Sequence, residues 1–271
     1  MKSTFLFLFS LLIFSTTNIK AVQQEDTIPV HETFTLASTN LAETRVINVW
    51  KPAEYSNGSI KLPVLYMLDG GVKEDFPHLA NTLSDLVSKK VIPPIMLVGI
   101  ENTQRRRDLT GYTAVEEDKK IAPIVGGSAQ FRAFIKEELF PAVEQKYRVS
   151  QQKSIIGESL AGLFVVETLL TDPSMFDNYI AFDPSLWWND HQLVKTGNSV
   201  MAKFPTENKR FWFASSNTKE IYTFTKKLSK ILNSTKISNL KWAYHHYRNT
   251  KHDTIFRASK KRALIWTFGN D

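Results

Sequence analysis

Continuous apolar runs alternate along this chain with stretches in which apolar residues recur every three or four positions. The runs at 63–68 and 95–100 are bounded by Pro, Gly and Asp, as is typical of buried parallel strands. Segments 33–37 and 44–50 flank a short polar turn, which predicts an early antiparallel pair. Further strands are predicted immediately before Ser159 and at 179–182, 211–214 and 240–247.

The helical stretches lie between these strands. Apolar residues at helical spacing predict helices over 76–87, after Ser159, over 221–231 and over 255–268. Another helix is expected to begin near Ser128 and to be interrupted around Pro141, because proline cannot donate the helical hydrogen bond. This alternation predicts the α/β class, with a mainly parallel central sheet, antiparallel N-terminal strands and helices on both faces.

The N-terminus has the pattern of an export signal. Lys2 precedes a largely apolar run at 5–14, and Ala21 offers a small residue for cleavage. We therefore expect a signal peptide over 1–21, a single catalytic domain over 22–271, and a secreted or periplasmic protein. Since no other stretch approaches the ~20 apolar residues of a spanning helix, stable membrane insertion after cleavage is not expected.

Composition narrows the chemistry. The chain has 271 residues and no cysteine, which excludes disulfides, thiol catalysis and thiolate metal sites. Its formal net charge of +7 mildly favours anionic substrates, but the lysines are scattered and no nucleic-acid-binding motif occurs. The partner we expect is a small-molecule ester, with no nucleic acid, no cofactor and no metal.

The segment K-S-I-I-G-E-S-L-A-G at 153–162 carries the strongest chemical signal. A strand that ends in small residues around a serine, followed by an apolar helix, is the setting of a nucleophile on a sharp strand-to-helix turn. Gly157 and Ala161 leave room for the backbone to fold back, and Gly162 allows close helix packing. This pattern predicts that Ser159 is a nucleophile in an α/β-hydrolase fold.

A serine nucleophile needs a base, and in this fold the histidine follows the last strand. His252 lies in the polar turn between the last predicted strand and the last predicted helix, and we expect it to take the Ser159 proton. His245 and His246 lie within the strand pattern, where packing roles are expected. A zinc site built from these histidines and Asp253 is disfavoured, because the H-E-x-x-H spacing is absent.

The acid that orients the histidine is predicted to be Glu220, which follows strand 211–214 after a polar loop. Asp183 is the main competitor, because it ends the preceding strand. Asp253 ranks third, because it is next to His252 in sequence and points elsewhere in most loop conformations.

The oxyanion and the substrate need further groups. The backbone amides of Leu160, at the start of a helix, and of Gly71, in the loop L-D-G-G-V, are the expected oxyanion donors. Trp187 and Trp188 either form an aromatic wall for the substrate or cap the core. Among Arg105, Arg106 and Arg107, Arg107 is predicted to bind an anionic substrate, although a loop with an ion pair to Asp108 is an equally ordinary arrangement.

Taken together, several segments resemble the putative-esterase family of α/β hydrolases, which includes ferric-enterobactin esterases, esterase D-like enzymes and mycolyltransferases. They are P-V-L-Y-M-L-D-G at 63–70, V-G-I-E-N-T-Q-R-R-R-D-L-T at 98–110, G-E-S-L-A-G at 157–162, F-D-N-Y-I-A-F-D-P-S-L-W-W at 176–188 and the T-K-H-D around His252. The resemblance extends from about Thr33 to the C-terminus.

The resemblance implies serine ester hydrolysis, with Ser159 as nucleophile, His252 as base and the amides of Gly71 and Leu160 as oxyanion donors. Siderophore, feruloyl and simple acyl esters are all consistent with it. An acyltransferase and a non-catalytic binding protein on the same fold are the alternatives. The chain departs from its relatives at Glu158, where histidine is frequent, and at Asp183, where serine is frequent.

Overall fold

The computed structural model of the protein describes residues 26–201 and 204–269. The predicted signal peptide lies outside the described residues, and the division into signal and single domain stays a prediction. The described residues form one eight-stranded sheet. Its strands are β1 (Glu32–Ser38), β2 (Glu43–Trp50), β3 (Leu62–Met67), β4 (Met96–Ile100), β5 (Val149–Glu158), β6 (Asn178–Phe182), β7 (Lys209–Ser215) and β8 (Leu240–His246).

The strand order is β1-β2-β4-β3-β5-β6-β7-β8. β1 pairs antiparallel with β2, and β2 pairs antiparallel with β4, whereas every other neighbouring pair is parallel. This confirms the mainly parallel sheet with antiparallel N-terminal strands. Since the carboxyl ends of parallel strands share one edge, the turns after β3, β5, β6, β7 and β8 are brought to the same side of the sheet.

Helices follow most of the strands. They are α1 (Phe76–Ser88), α2 (Arg105–Leu109), α3 (Glu116–Ile121), α4 (Ser128–Ala133), α5 (Phe140–Lys146), α6 (Leu160–Thr171), α7 (Trp188–Met201), α8 (Lys219–Thr235) and α9 (Ile255–Phe268), with a short 3-10 helix at Ala53–Ser56. The sequence pattern did not reveal α2, α3 or α7. Within α7, Asn189, Asp190 and His191 have left-handed backbone angles, which explains why helical spacing fails there.

The expected interruption at Pro141 is wrong. A π-helical segment, Phe134–Leu139, joins α4 to α5, so the chain stays helical from Ser128 to Lys146. Proline has no N–H and its ring collides with the carbonyl four residues earlier in a regular α-helix. The wider π turn just before Pro141 accommodates both effects, and Pro141 lies in the first turn of α5, where its missing N–H costs least.

The core has two layers, one on each face of the sheet. Alternate residues of β7 show this, because Phe213 packs with the helices α4 to α8 and Trp212 packs with α1 and α9. Both side chains are fully buried. No helix within the described ranges is long and apolar enough to cross a membrane.

Candidate active site

The turn at Ser159 is sharply strained. Ser159 has φ 61° and ψ −119°, a left-handed conformation that costs a non-glycine residue roughly 1–3 kcal/mol. A Cβ on Gly157 would lie 2.7 Å from the carbonyl of Ala161, so only glycine allows the helix to turn back over the strand. The same contact explains why Ala161 is tolerated: its methyl group occupies the space that a Gly157 side chain would need.

The turn is also fastened to the end of β6. The Ser159 amide donates to the carbonyl of Phe182 at 3.0 Å, and the Ser185 amide donates to the carbonyl of Ser159 at 3.1 Å. A Cβ on Gly162 would lie 2.8 Å from the Phe182 carbonyl oxygen, which shows how closely α6 approaches this strand end. Ser185, whose hydroxyl lies 3.5 Å from that of Ser159, is a site residue that sequence reasoning missed.

The structure brings His252 to Ser159 across 93 residues of sequence. The imidazole Nε2 lies 3.0 Å from Ser159 Oγ. His252 is in the turn between β8 and α9, as predicted, and this turn is held by the amide of Ile255 donating to the carbonyl of Lys251. With Nδ1 protonated, Nε2 is free to accept the serine proton.

The acid beside His252 is Asp183, which corrects the prediction of Glu220. Asp183 Oδ2 accepts the hydrogen bond of His252 Nδ1 at 2.9 Å, and Asp183 Oδ1 accepts from the amide of Ser216. Asp183 directly follows β6 and is 0% exposed. Glu220 lies in the first turn of α8, where its side chain is exposed and no contact with His252 is found in the described residues.

The hydrogen bond to Asp183 raises the pKa of His252 above its usual value. Burial opposes the shift, and the negative charges of Asp183, of Glu158 when it is ionised, and of Asp253 add to it. Asp253 itself is exposed and does not join the hydrogen-bond chain. The net effect favours the protonated form of His252.

The other two histidines of this region pack, as predicted. His246 lies with its ring centroid 4.1 Å from that of Tyr222, and its Nδ1 is 3.1 Å from the hydroxyl oxygen of Ser215. His245 lies against Trp212 on the opposite face of the sheet. Neither contacts Ser159.

The two candidate oxyanion donors differ in their surroundings. Leu160 is the first residue of α6, so its amide points out of the helix N-terminus beside Ser159. The amide of Gly71 donates to Glu74 Oε2 at 2.6 Å, and Glu74 Oε1 accepts from Asn102. Burial raises the pKa of Glu74. Gly71 is therefore available to an oxyanion only when the Glu74 carboxyl group moves away.

Trp187 and Trp188 take different positions. Trp188 is 5% exposed and donates its indole N–H to the carbonyl of Gly111 at 3.1 Å, so it belongs to the core. Trp187 is half-buried, with its ring centroid 6.0 Å from that of Trp188. Of the two, only Trp187 keeps a face for a substrate.

The contacts of the three arginines of α2 differ from those predicted. Arg107, expected to bind substrate, is held by Asp108 at 2.6 Å and by Glu43 at 2.9 Å. Arg105 makes a bidentate pair with Asp69 through Nε at 2.6 Å and Nη2 at 2.8 Å. Because these guanidinium groups are already paired with carboxylates, their charge is largely neutralised locally.

Arg106 is the exposed member of the three, and it donates to the carbonyl of Ile121. An open groove of about 400 Å³ runs beside it, lined by the arginines together with Gln104, Pro123 and Ile124. Arg105 lines this groove and also contacts the turn at Ser159, because its Nη2 lies 3.4 Å from the carbonyl oxygen of Glu158. The groove thus combines apolar and basic surface.

Comparisons with known proteins identify the family of the chain. The model of the family described as Putative esterase matches residues 38–267. The chain is 32% identical to the ferri-bacillibactin esterase BesA of Bacillus subtilis over 62% of this chain and 63% of that protein. It is 27% identical to the apo-salmochelin esterase of Escherichia coli over 82% of this chain and 74% of that protein. The matched part spans a little under two thirds of the ferri-bacillibactin esterase.

Solved structures share the fold. An IroE-like serine hydrolase from Shewanella oneidensis superposes with a TM-score of 0.78 at 25% identity, covering 88% of this chain and 78% of that one. The BES protein from Bacillus cereus superposes with a TM-score of 0.79 at 21% identity, covering 92% of this chain and 100% of that one. The architecture is therefore that of the α/β hydrolases.

Proposed function

Because the chain belongs to the putative esterase family, we propose that it is an exported serine esterase that cleaves a carboxylic ester through an acyl-enzyme on Ser159. The observation that carries the proposal is the hydrogen-bond chain Ser159–His252–Asp183, with distances of 3.0 Å and 2.9 Å. A serine on a strained turn, a histidine within reach of its hydroxyl and a buried carboxylate behind that histidine are the parts required for acyl transfer.

In the acylation step, His252 Nε2 takes the Ser159 proton while Oγ attacks the ester carbonyl carbon. The tetrahedral intermediate carries its negative charge on the former carbonyl oxygen, beside the amide of Leu160. When the intermediate collapses, the bond to the leaving oxygen breaks and the imidazolium gives its proton to the departing alcohol. Water then attacks the acyl-enzyme in the same way and releases the acid.

We propose the Gly71 amide as the second oxyanion donor, and a substitution of Glu74 tests this role directly. Glu74→Ala removes the carboxylate that accepts the hydrogen bond of the Gly71 amide at 2.6 Å. We expect kcat to be unchanged or to rise several-fold, because the donor no longer has to be freed. A loss of kcat comparable to the ~10²–10³-fold loss on removing an oxyanion donor would show that Glu74 supports the loop instead.

The ester class best supported is that of a siderophore. The curated relatives are named as ferri-bacillibactin and apo-salmochelin esterases. Ferric siderophores with catecholate groups are anionic and aromatic, which suits a groove lined by Arg106, Pro123 and Ile124. We propose that Arg106 rather than Arg107 contacts such a ligand, because Arg107 is already held by two carboxylates.

A fluorophosphonate probe tests the mechanism independently of the substrate. It should label Ser159 in the folded protein, and Ser159→Ala should abolish both labelling and ester turnover, with a loss of about 10³-fold or more. Failure to label a protein whose folding is verified would favour the non-catalytic alternative. Comparing products with and without an alcohol acceptor separates hydrolysis from acyl transfer.

A panel of triscatecholate lactone, feruloyl and short aryl esters tests the substrate class. The lactone is expected to give the highest kcat/KM, and Arg106→Gln is expected to raise KM for it several-fold while leaving the uncharged aryl ester unaffected. Equal effects on both esters would contradict a role for Arg106 in binding the anion.

Export is a separate part of the proposal. The pattern of Lys2, the apolar run and Ala21 supports it. N-terminal sequencing of the protein recovered from a periplasmic or culture fraction should begin at or close to residue 22. Recovery only of the intact chain from the cell interior would contradict export.

A further inference from the structure

Glu158 is a carboxyl group next to the nucleophile that the proposed mechanism does not use. It ends β5, immediately before Ser159, and its Oε1 is buried without a hydrogen-bond partner. Within the described ranges, no hydrogen bond or ion pair to its carboxyl group is found. Glu158 as a whole is half-buried, but an ionised carboxylate with one oxygen buried and unpaired is costly, which favours the neutral acid.

The neighbouring carboxylates differ because each has its own donor. Asp69 is held by Arg105 through a bidentate pair, and Asp183 by His252 at 2.9 Å. Asp75 is held at 3.1 Å by Arg257. The arginines nearest to the site are thus committed to aspartates, and Arg105 reaches only the main-chain oxygen of Glu158.

Glu158 and two of these aspartates line one narrow cavity at the carboxyl edge of the sheet. Its walls include Asp69 after β3, Asp75 before α1, Glu158 at the end of β5 and Phe256 of α9. Charged groups therefore approach Glu158 from the ends of β3 and β6 and from the turns before α1 and α9. His252, when protonated, and Arg105 are the positively charged neighbours, and the three aspartates are the negatively charged ones.

We propose that Glu158 is a positioning residue that must carry its proton for full activity, so that the esterase loses activity when this carboxyl group ionises. This inference rests on the proposed function. Glu158 directly precedes Ser159 and lines the same cavity as Asp69, which directly precedes Gly70 and Gly71 of the candidate oxyanion loop. A negative charge there repels the developing oxyanion, whereas the neutral acid does not.

The electrostatics agree with this geometry. Burial raises the pKa of Glu158 to about 8, and the charges of Asp75, Asp183 and Asp69 contribute to the rise while His252 opposes it. Since the neutral form predominates below this value, the loss of activity falls on the alkaline side of the pH profile. With a pKa near 8, only about a tenth of the molecules keep the proton at pH 9.

The kinetic test compares kcat/KM between pH 6 and 10 for the wild type, Glu158→Gln and Glu137→Gln. Glutamine keeps the shape of the neutral acid and cannot ionise. We expect all three proteins to agree within about twofold at pH 7, and Glu158→Gln to exceed the wild type by about tenfold at pH 9. Glu137, an exposed residue of the π segment, is the control for removing a carboxylate elsewhere. An alkaline decline in Glu158→Gln identical to that of the wild type would overturn the proposal.

A second measurement does not depend on catalysis. In protein labelled with ¹³C at the glutamate side-chain carboxyl, the resonance that disappears in Glu158→Asp, or in Glu158→Gln if that variant folds, should titrate near pH 8. Titration below pH 6 would refute the inference even if the enzyme is an active esterase. Conversely, titration near 8 in a protein without esterase activity would contradict the proposed function and leave the proton on Glu158 established.

Discussion

The turns after β6 and β7 lie side by side at the same edge of the sheet, yet only the first places a carboxylate against His252. Asp183 follows β6 at once, is fully buried and reaches His252 at 2.9 Å. β7 continues to Ser215, and the chain then enters α8, whose first turn leaves Glu220 in solvent. A carboxylate orients an imidazole when a rigid strand end places it there and water is excluded.

The two turns also depend on each other. The Asp183 amide donates to the carbonyl of Ala214 at the end of β7, and the Ser216 amide donates to the Asp183 carboxylate. The turn after β7 thus holds the acid in place without providing it. This division of roles explains why both strand ends look suitable in the sequence while only one of them contacts the base.

Among substitutions at the two strand ends, Asp183→Asn is expected to cause the largest loss of activity. An amide in this position no longer stabilises the imidazolium and favours the wrong tautomer of His252, so kcat should fall by about 10²–10⁴-fold. Steady-state kinetics on a short aryl ester measures the loss, and circular dichroism checks that the variant is folded. A loss of kcat below about threefold would mean that another residue orients His252.

A smaller effect is expected from Gly162→Ala, which disturbs the β6 end from the side of α6. The new Cβ would lie 2.8 Å from the Phe182 carbonyl, so the helix or the strand end must shift. We expect a loss of about 1–3 kcal/mol in the free energy of unfolding, measured by urea denaturation, together with reduced kcat. Gly58→Ala is the matched control, because a Cβ there meets nothing within 4 Å.

Much of this architecture could be predicted from the sequence. The strands are continuous apolar runs or alternating segments, and the turn around Ser159 needs small residues that the sequence displays, so these elements and the place of His252 follow from local patterns. The acid does not, because its identity depends on which of two neighbouring strand ends points at His252. The local signal that favoured Asp183 was its position directly after β6. Glu220, by contrast, lies five residues beyond the end of β7.

Other features depend on contacts between distant segments and have no local signature. The commitment of Arg107 to Glu43 joins residues far apart in sequence, as does the pairing of Arg105 with Asp69. A run of three arginines looks uniformly basic in a sequence, whereas in the structure only Arg106 is exposed. The left-handed backbone at 189–191 likewise depends on tertiary contacts, such as the hydrogen bond from the Asn189 amide to Asp118 at 2.8 Å.

The pH dependence of kcat/KM tests the contact between the end of β6 and His252, and a smaller effect is expected there. The base must be neutral to accept the Ser159 proton, and Asp183 raises the pKa of His252 above 6.5. The acidic limb of kcat/KM should therefore have its midpoint above 6.5, with activity rising as the pH increases. In Asp183→Asn the midpoint should move to lower pH, because burial still disfavours the imidazolium and the carboxylate no longer supports it. An unchanged midpoint, checked by ¹⁵N NMR titration of His252, would contradict the coupling.

The smallest effect is expected from Glu220→Gln, at the turn after β7. Its side chain is exposed in the first turn of α8, where a carboxylate interacts favourably with the helix N-terminus by about 0.3–1 kcal/mol. We expect kcat/KM within about twofold of the wild type across the pH range, since such a change alters local stability and not the orientation of His252. Measured beside Asp183→Asn, this variant removes a carboxylate from the neighbouring strand end and therefore controls for a general loss of negative charge. A loss of activity close to that of Asp183→Asn would mean that α8 turns Glu220 towards the base when substrate binds.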